Sequence, residues 1–418
     1  MQDLLAFLIV SVVVVAAAFV VQRRIGGRLG QLLFLGLCLR IIGSTLRLEV
    51  IERAYGGGSD AKNYMYYGKL YAERIADFDL SFFLGDDQLA DSRWWGTQFV
   101  RNVTAVVIFF IGDNIRAAFL IFSCFSFLGL YFIIEAFGNA CGRDHRSEYA
   151  RWALFWPSLW FWPSSVGKEA LLTLGLGLFI WGYVGRRGTM EWRALLGGLF
   201  IAFAIRPHVA MIFALSLAVA EFLRQGPRGT RGKLVTGLAV AVLLAISVRT
   251  GLSQLGLADA DLEGIEEFFE HRSFSTEQGG SRIYRARGPL AIPVAFMNVF
   301  LRPFPWEATG IQILSGAEIW FFWGMLFSYR RGLGAVKRIW RTNRFTVLAA
   351  PLGMSLAMLY GLAFANLGII ARQRVLVLPF VVSLLALTRI YGPRPAPREE
   401  PANGRLRVRD GPQRSLIR

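Results

Sequence analysis

Apolar runs of helical length recur along the chain from Leu4 to Leu387, separated by short connections rich in arginine, glycine and proline. The hydrocarbon core of a bilayer takes about 20 apolar residues per helix. The pattern therefore predicts spans near 4–21, 30–46, 115–138, 149–163, 166–185, 191–205, 208–224, 233–249, 310–329, 345–365 and 374–391. Pro163, Pro207 and Pro379 mark tight hairpins or a broken helix among them, because proline interrupts the backbone ladder. A further apolar run, Asn102–Ile111, is too short to cross and is expected to lie along or dip into the outer face. Met1–Asp3 carries no basic region and Arg23-Arg24 follow the first run, so that run is expected to be a retained helix rather than a cleaved signal.

The expected fold class is thus an all-α polytopic membrane protein with about eleven transmembrane helices and interfacial helices in its outer loops. One transmembrane domain covers 1–391, with outer loops at about 48–101 and 250–306. Residues 392–418, rich in proline, arginine and glycine, read as a disordered cytoplasmic tail.

Composition agrees. Hydrophobic residues make up 54% of the 418 residues and charged residues 18%, against about 25% charge in soluble proteins. That balance excludes a soluble enzyme, a disordered protein and a single-span receptor. Lysine and arginine outnumber aspartate and glutamate by 46 to 29, a net charge of +17. In a soluble chain this would suggest nucleic acid. Here the basic residues sit in short connections, as cytoplasmic loops do under the positive-inside rule, and no nucleic-acid partner is expected. With eleven spans and the N-terminus outside, Arg23-Arg24-Arg28, Arg143-Arg146-Arg151, Arg186-Arg187, Arg224-Arg228-Arg231-Lys233 and Arg330 to Arg344 all fall inside. Cys38, Cys124 and Cys141 lie in or beside apolar runs without metal-site spacing and read as packing residues.

The candidate chemistry lies on the outer side. Three glycines, Gly56–Gly58, precede Ser59 and Asp60, either of which can cap the helix that follows. On that helix Tyr64, Tyr67 and Tyr71 form one face suited to the membrane interface. Asp60 reads as a helix cap or as a carboxylate held at the membrane surface to act as general base. Lys168-Glu169 reads as an ion pair at a helix start or as a second acid brought beside Asp60. Arg206-Pro207-His208, Arg302 to Glu307, and Arg372-Gln373-Arg374 supply outer cations. Arg372 and Arg374 run against the positive-inside bias, and arginine matches phosphate oxygens well. The acids between Asp259 and Glu277 read as a solvated helical face rather than a metal site.

An Asp followed four residues later by Tyr in the first outer loop resembles the GT-C superfamily of membrane glycosyltransferases. In order along the chain, Gly96–Gly112 resembles that family's outer-face helix, Tyr149–Ser158 its helix ending in Pro-Ser, and Lys168–Leu172 its acidic helix start. The match covers about residues 30–225. The type is that of the polyprenyl-phosphate-sugar-dependent mannosyltransferases and aminoarabinose transferases. The resemblance implies a multi-pass enzyme of the inner (plasma) membrane whose site faces outside or into the periplasm. It moves a sugar from a polyprenyl-phosphate-linked donor to a glycan or lipid-linked acceptor, among membrane lipids, in cell-envelope polysaccharide assembly. It further implies Asp60 as the catalytic acidic residue, with Tyr64, Lys168, Glu169, Arg206, His208, Arg302, Glu307, Arg372 and Arg374 around the substrates. A divalent metal stays open, since the sequence shows no paired acidic motif like that of metal-dependent members, only Asp113 in Gly112-Asp113-Asn114. A large C-terminal outer domain is also missing from the pattern.

Other readings compete. An O-antigen-polymerase-like enzyme joining polyprenyl-diphosphate-linked repeat units would rely on outer arginines such as Arg282, Arg285 and Arg287. A lipid-linked glycan transporter would show paired broken helices in two repeated halves, and no internal repeat is present. A scaffold protein would leave the ionisable outer loops unexplained.

Overall fold

A computed structural model describes residues 2–84, 93–186, 188–224, 288–308, 310 and 312–392, with Ile283 and isolated positions between 237 and 249. Several expectations lie outside these residues: most of the span at 233–249, the acidic stretch Asp259–Glu277, Arg282, Arg285 and Arg287, and the tail from 393. Arg187, Arg228, Arg231 and Lys233 of the basic connections also lie outside them.

The described residues form helices and no strand. In chain order these are α1 (Gln2–Ile25), α2 (Gly27–Arg53), α3 (Asp60–Ala76), α4 (Thr97–Ile111), α5 (Ile115–Cys141), α6 (Arg146–Phe155), α7 (Pro157–Phe161) and α8 (Lys168–Val184). There follow α9 (Trp192–Ile205), α10 (Pro207–Leu223), α11 (Ala291–Phe300), α12 (Gln312–Ser328), α13 (Leu333–Ile339), α14 (Arg344–Ala363), α15 (Leu367–Gln373) and α16 (Leu378–Tyr391).

Four helices, α1, α2, α5 and α14, are long and apolar enough to cross a membrane, or five if the bent pair α15–α16 is one span. This makes the chain a helical membrane protein by length and composition. The run expected at 149–163 is broken at Trp156, whose extended backbone separates α6 from α7 where Pro157 begins a new helix. The run expected at 374–391 is likewise bent by 60° between Leu376 and Leu378. The apolar run at Asn102–Ile111 belongs to α4, only 15 residues long. The first outer connection starts later than expected, because α2 continues to Arg53.

Helix α5 packs between α2 and α8, and α9 covers the other side of α8. The α5–α8 approach needs glycine: a Cβ on Gly129 would stand 2.7 Å from the backbone nitrogen of Leu174, the small-residue contact that lets apolar helices close on one another.

The bundle has two chemically distinct ends. At one, Asn139 donates to the Gly185 carbonyl at 3.0 Å, Asn343 to that of Ala140 at 2.9 Å, Arg344 to that of Gly188, and Arg389 pairs with Glu148 at 3.4 Å. The arginine-rich connections after α5, α8 and α13 therefore share that end. At the other, Arg116 reaches Glu49 at 3.8 Å, and the starts of α3 and α8 meet the arginines of α15 and the α9–α10 turn.

The tyrosine face of α3 is not an interface anchor. Tyr64 and Tyr71 are buried, Tyr71 stacks on Phe82 at 4.5 Å, and the Arg101 guanidinium sits 3.7 Å from the Tyr67 ring centre. The reason is α4, which lies against α3 and covers that face. Gly68 permits the contact, because a Cβ there would stand 2.7 Å from the Thr104 methyl.

Candidate functional site

At the end opposite the basic connections, the starts of α3 and α8, the α9–α10 turn and α15 converge. Glu169, in the first turn of α8, is 3% exposed. Its carboxylate accepts hydrogen bonds from Arg372 Nη2 at 2.7 Å and Gln373 Nε2 at 3.0 Å, and lies 3.7 Å from Arg206 Nη2. Arg206 also donates to the Gln373 side-chain oxygen. Arg372 reaches outward, with Nη1 3.5 Å from Asp60 Oδ2. A single guanidinium thus spans a buried carboxylate and one whose side chain is 69% exposed.

Local sequence explains each placement. Gly167 and Lys168 begin α8 directly after the buried Pro163–Val166 turn, which puts Glu169 where the helix dipole favours an acid. Arg206 stands at the break before Pro207, where its backbone turns extended and its carbonyl accepts from Val209. Asn366 caps α15 through Gly368 and Ile369, starting the short helix that carries Arg372. Asp60 is the first helical residue of α3, not its cap. Ser59 holds the N-cap position without a side-chain capping bond, and the Asp60 carboxylate faces Arg372.

Lys168 does not pair with Glu169. Its ammonium donates to Thr97 Oγ1 at 3.2 Å, tying the start of α8 to the start of α4. Tyr64 is buried beside the cluster. Burial, with the carboxylates of Asp60 and Glu169 nearby, pushes its phenol above the ordinary value and keeps it a neutral hydrogen-bonding group. His208 is half-buried in the first turn of α10, next to Arg206.

The remaining candidates are elsewhere. Arg302 and Glu307 pair with each other, Nε to Oε2 at 2.9 Å and Nη2 to Oε1 at 2.5 Å, and Arg302 also donates to Asn298 at 3.2 Å. Those bonds hold the Glu307 carboxyl below its usual range. Arg374, only two residues from Arg372, points the other way. It is 3% exposed and donates to the Arg302 carbonyl at 2.7 Å and to Ser315 at 3.4 Å.

Three buried ionisable groups escaped the sequence reading. Arg47 on α2 is 4% exposed, faces the rings of Tyr55, Phe161 and Trp162, and lies within electrostatic reach of Glu169 and Arg372. Arg40, two turns away, donates to Ser126 at 3.0 Å and to the Leu159 carbonyl at 3.2 Å. Glu318 on α12 accepts from the Ser158 amide at 3.0 Å and from its hydroxyl, which caps α7. Each interrupts an apolar run, and an ionisable residue inside such a run is itself a signal of function or pairing.

The electrostatics favour an anion. Arg47, Lys168, Arg206 and Arg372 face Asp60 and Glu169, an excess of two positive charges. Among the described residues no three His, Cys, Asp or Glu side chains come together as a metal-ligand set. A cavity of about 950 Å³ lies on the other side of Phe161 and Trp162, lined also by Trp156, Ser158 and Glu318. No family model, curated protein or solved structure matches the chain.

Proposed function

We propose that the chain is a membrane glycosyltransferase that moves a sugar from a polyprenyl-phosphate-linked donor to a glycan or lipid-linked acceptor on the outer face of the plasma membrane. The observation that carries the reading is Arg372, which stands between the exposed Asp60 and the buried Glu169. Transfer needs a carboxylate that removes the acceptor proton and cations that take up charge on the departing phosphate. Asp60 is open to an acceptor, and the guanidinium beside it presents donors to phosphate oxygens. Glu169 is a positioning residue that holds Arg372 and Arg206. The order of loose motifs that resembles GT-C enzymes supports the same assignment. So does the segregation of arginine-rich connections to the opposite end, which under the positive-inside rule is cytoplasmic. In this reading α6–α7 and the shorter helices α8, α9, α10 and α12 also cross the membrane, making ten spans among the described residues, and the apolar run at 233–249 in the sequence is the eleventh.

The test is transfer from a radiolabelled sugar on a polyprenyl monophosphate by the purified protein in lipid. Asp60→Asn keeps the side-chain shape and removes the base, and should lower the rate about 10²–10⁴-fold with donor binding retained. Extension of a diphosphate-linked oligosaccharide with no use of the monophosphate would favour the polymerase reading, and uptake without covalent product a transporter.

A further inference from the structure

Arg372 is held unevenly by its two acids. Its Nη2 donates to Glu169 Oε2 at 2.7 Å. That carboxylate is buried, with 4% of its side chain exposed, and is held further by Gln373 at 3.0 Å and by Arg206 at 3.7 Å. On the other side, Nη1 stands 3.5 Å from Asp60 Oδ2, on a side chain that is 69% exposed. Breaking a buried ion pair is costly, because each charge is left in a medium that cannot solvate it. An exposed pair is weak, since water takes the place of either partner. One end of the guanidinium is therefore fixed and the other is exchangeable.

Asp60 is also built to leave. It is the first residue of α3, and Ser59 before it makes no side-chain capping bond. Gly56 takes a φ of 59°, and nothing lies within 4 Å of where its Cβ would stand, so the connection from α2 turns in open space through a conformation that suits glycine. Arg47, Lys168 and Arg206 lie within electrostatic reach of Arg372 or of its partner Glu169. An anion arriving at Nη1 thus meets further cations and a single removable competitor. Phosphate and carboxylate oxygens accept from a guanidinium in the same way, so the two compete for the same donors.

We propose that the Arg372–Asp60 ion pair is a self-inhibiting contact that the donor releases: the phosphate of the prenyl-linked sugar replaces the Asp60 carboxylate on Arg372 Nη1, and Asp60 then turns to the acceptor hydroxyl. While the pair is closed, the Asp60 oxygen is directed at Arg372 and not at an acceptor. The contact sets an order, donor before acceptor, and it frees the base only when the leaving group is in place. Departure of the lipid phosphate returns Nη1 to Asp60, so each turnover ends in the closed state. Glu169 makes the exchange one-sided, because it keeps Arg372 in position while Asp60 comes and goes.

The proposal rests on the transferase reading for the identity of the phosphate, so binding is measured apart from transfer. The full chain in phosphatidylcholine nanodiscs is titrated with undecaprenyl monophosphate. Asp60→Asn keeps the shape and removes the competing charge, and should tighten binding about three- to tenfold. In Arg372→Lys the compact ammonium stays with the buried Glu169 and does not also reach Asp60. Adding Asp60→Asn to that variant should therefore change affinity less than about twofold. Glu52→Gln removes an exposed acid that pairs with Lys62 at 2.9 Å instead of Arg372, and it should likewise leave affinity within about twofold. Melting temperature checks the fold of each variant, and the Glu52 comparison holds even where Arg372→Lys does not fold. An equal gain in both backgrounds, an equal gain from Glu52→Gln, or no gain from Asp60→Asn overturns the switch and leaves the transferase reading standing. The expected pattern in a protein that transfers no sugar from the labelled donor keeps the switch and removes that reading. Inorganic phosphate as potent as the lipid overturns the lipid as the occupant, and no binding of either overturns both proposals.

Discussion

Arg372 and Arg374 show how much two residues can separate. Both are cationic, Arg372 in the last turn of α15 and Arg374 directly after it, and their sequence context is alike. Yet Arg372 joins Glu169 and Asp60, and Arg374 is buried against the Arg302 carbonyl and Ser315. The end of α15 at Gln373, where the backbone tightens into a 3₁₀ turn, divides them. Their substitutions should therefore differ in kind. Under the proposed transferase reading, Arg372→Ala takes away a charge-assisted contact to the leaving phosphate and should cost transfer about ten- to a hundredfold, with lysine only a partial rescue. Arg374→Ala and Arg302→Ala should lower thermal stability instead, since each takes a buried partner away. Donor turnover and melting temperature for the three variants separate these outcomes: loss of turnover by Arg374→Ala at unchanged stability would place it in the phosphate site. Glu307 yields a pH prediction. Arg302 depresses its folded value, so its contribution to stability is present above the unfolded value of about 4.3 and is lost as pH falls through the lower folded value. Melting temperature should decline over that acidic window, and less steeply in Glu307→Gln.

Among the elements, the α3–α4 pair is the part on which the site depends most. Asp60 starts α3, Thr97 starts α4, and Thr97 receives the Lys168 ammonium at the start of α8. The depth at which α4 seats on α3 thus sets the distance between Asp60 and Glu169. Gly68 controls that depth, through a contact that any side chain would crowd at Thr104 and Ile108. Gly68→Ala should cost about 1–3 kcal/mol through overpacking and lower transfer more than donor binding. Unchanged melting and turnover would show that the two helices can separate without consequence. The tyrosines of α3 teach a related lesson about helical periodicity. Their spacing identified one face correctly, but periodicity is the same for a face against lipid headgroups and a face against another helix. Which neighbour it meets depends on α4, more than 20 residues further along the chain.

For the molecule as a whole, orientation is open to a direct measurement. Ala54 is exposed at the end that holds the charged cluster and Lys337 at the end that gathers the arginines. A cysteine at Ala54 should react with an impermeant thiol reagent from outside, and one at Lys337 only after the membrane is opened. The reverse pattern would invert the proposed topology. The helical membrane character, the basic connections and most helix positions were legible in the chain because apolar length and arginine placement are local properties that a bilayer reads directly. The bend before Leu378 falls beside Pro379 and α4 lies between Gly96 and Gly112, as expected from the sequence, whereas the break at Trp156–Pro157 and the continuation of α2 to Arg53 were not legible in it. Residue type, position in the outer loops and the resemblance together nominated Asp60, Tyr64, Lys168, Glu169, Arg206 and Arg372, which share one end of the bundle. Their partners came only with packing. The Glu169–Arg372 contact joins residues 203 positions apart, and no local rule says which arginine a buried acid will meet. Arg47 entered the cluster, and Arg302, Glu307 and Arg374 left it, for the same reason: a charge in an apolar bundle goes to whichever counter-charge or carbonyl the helix crossings bring within reach.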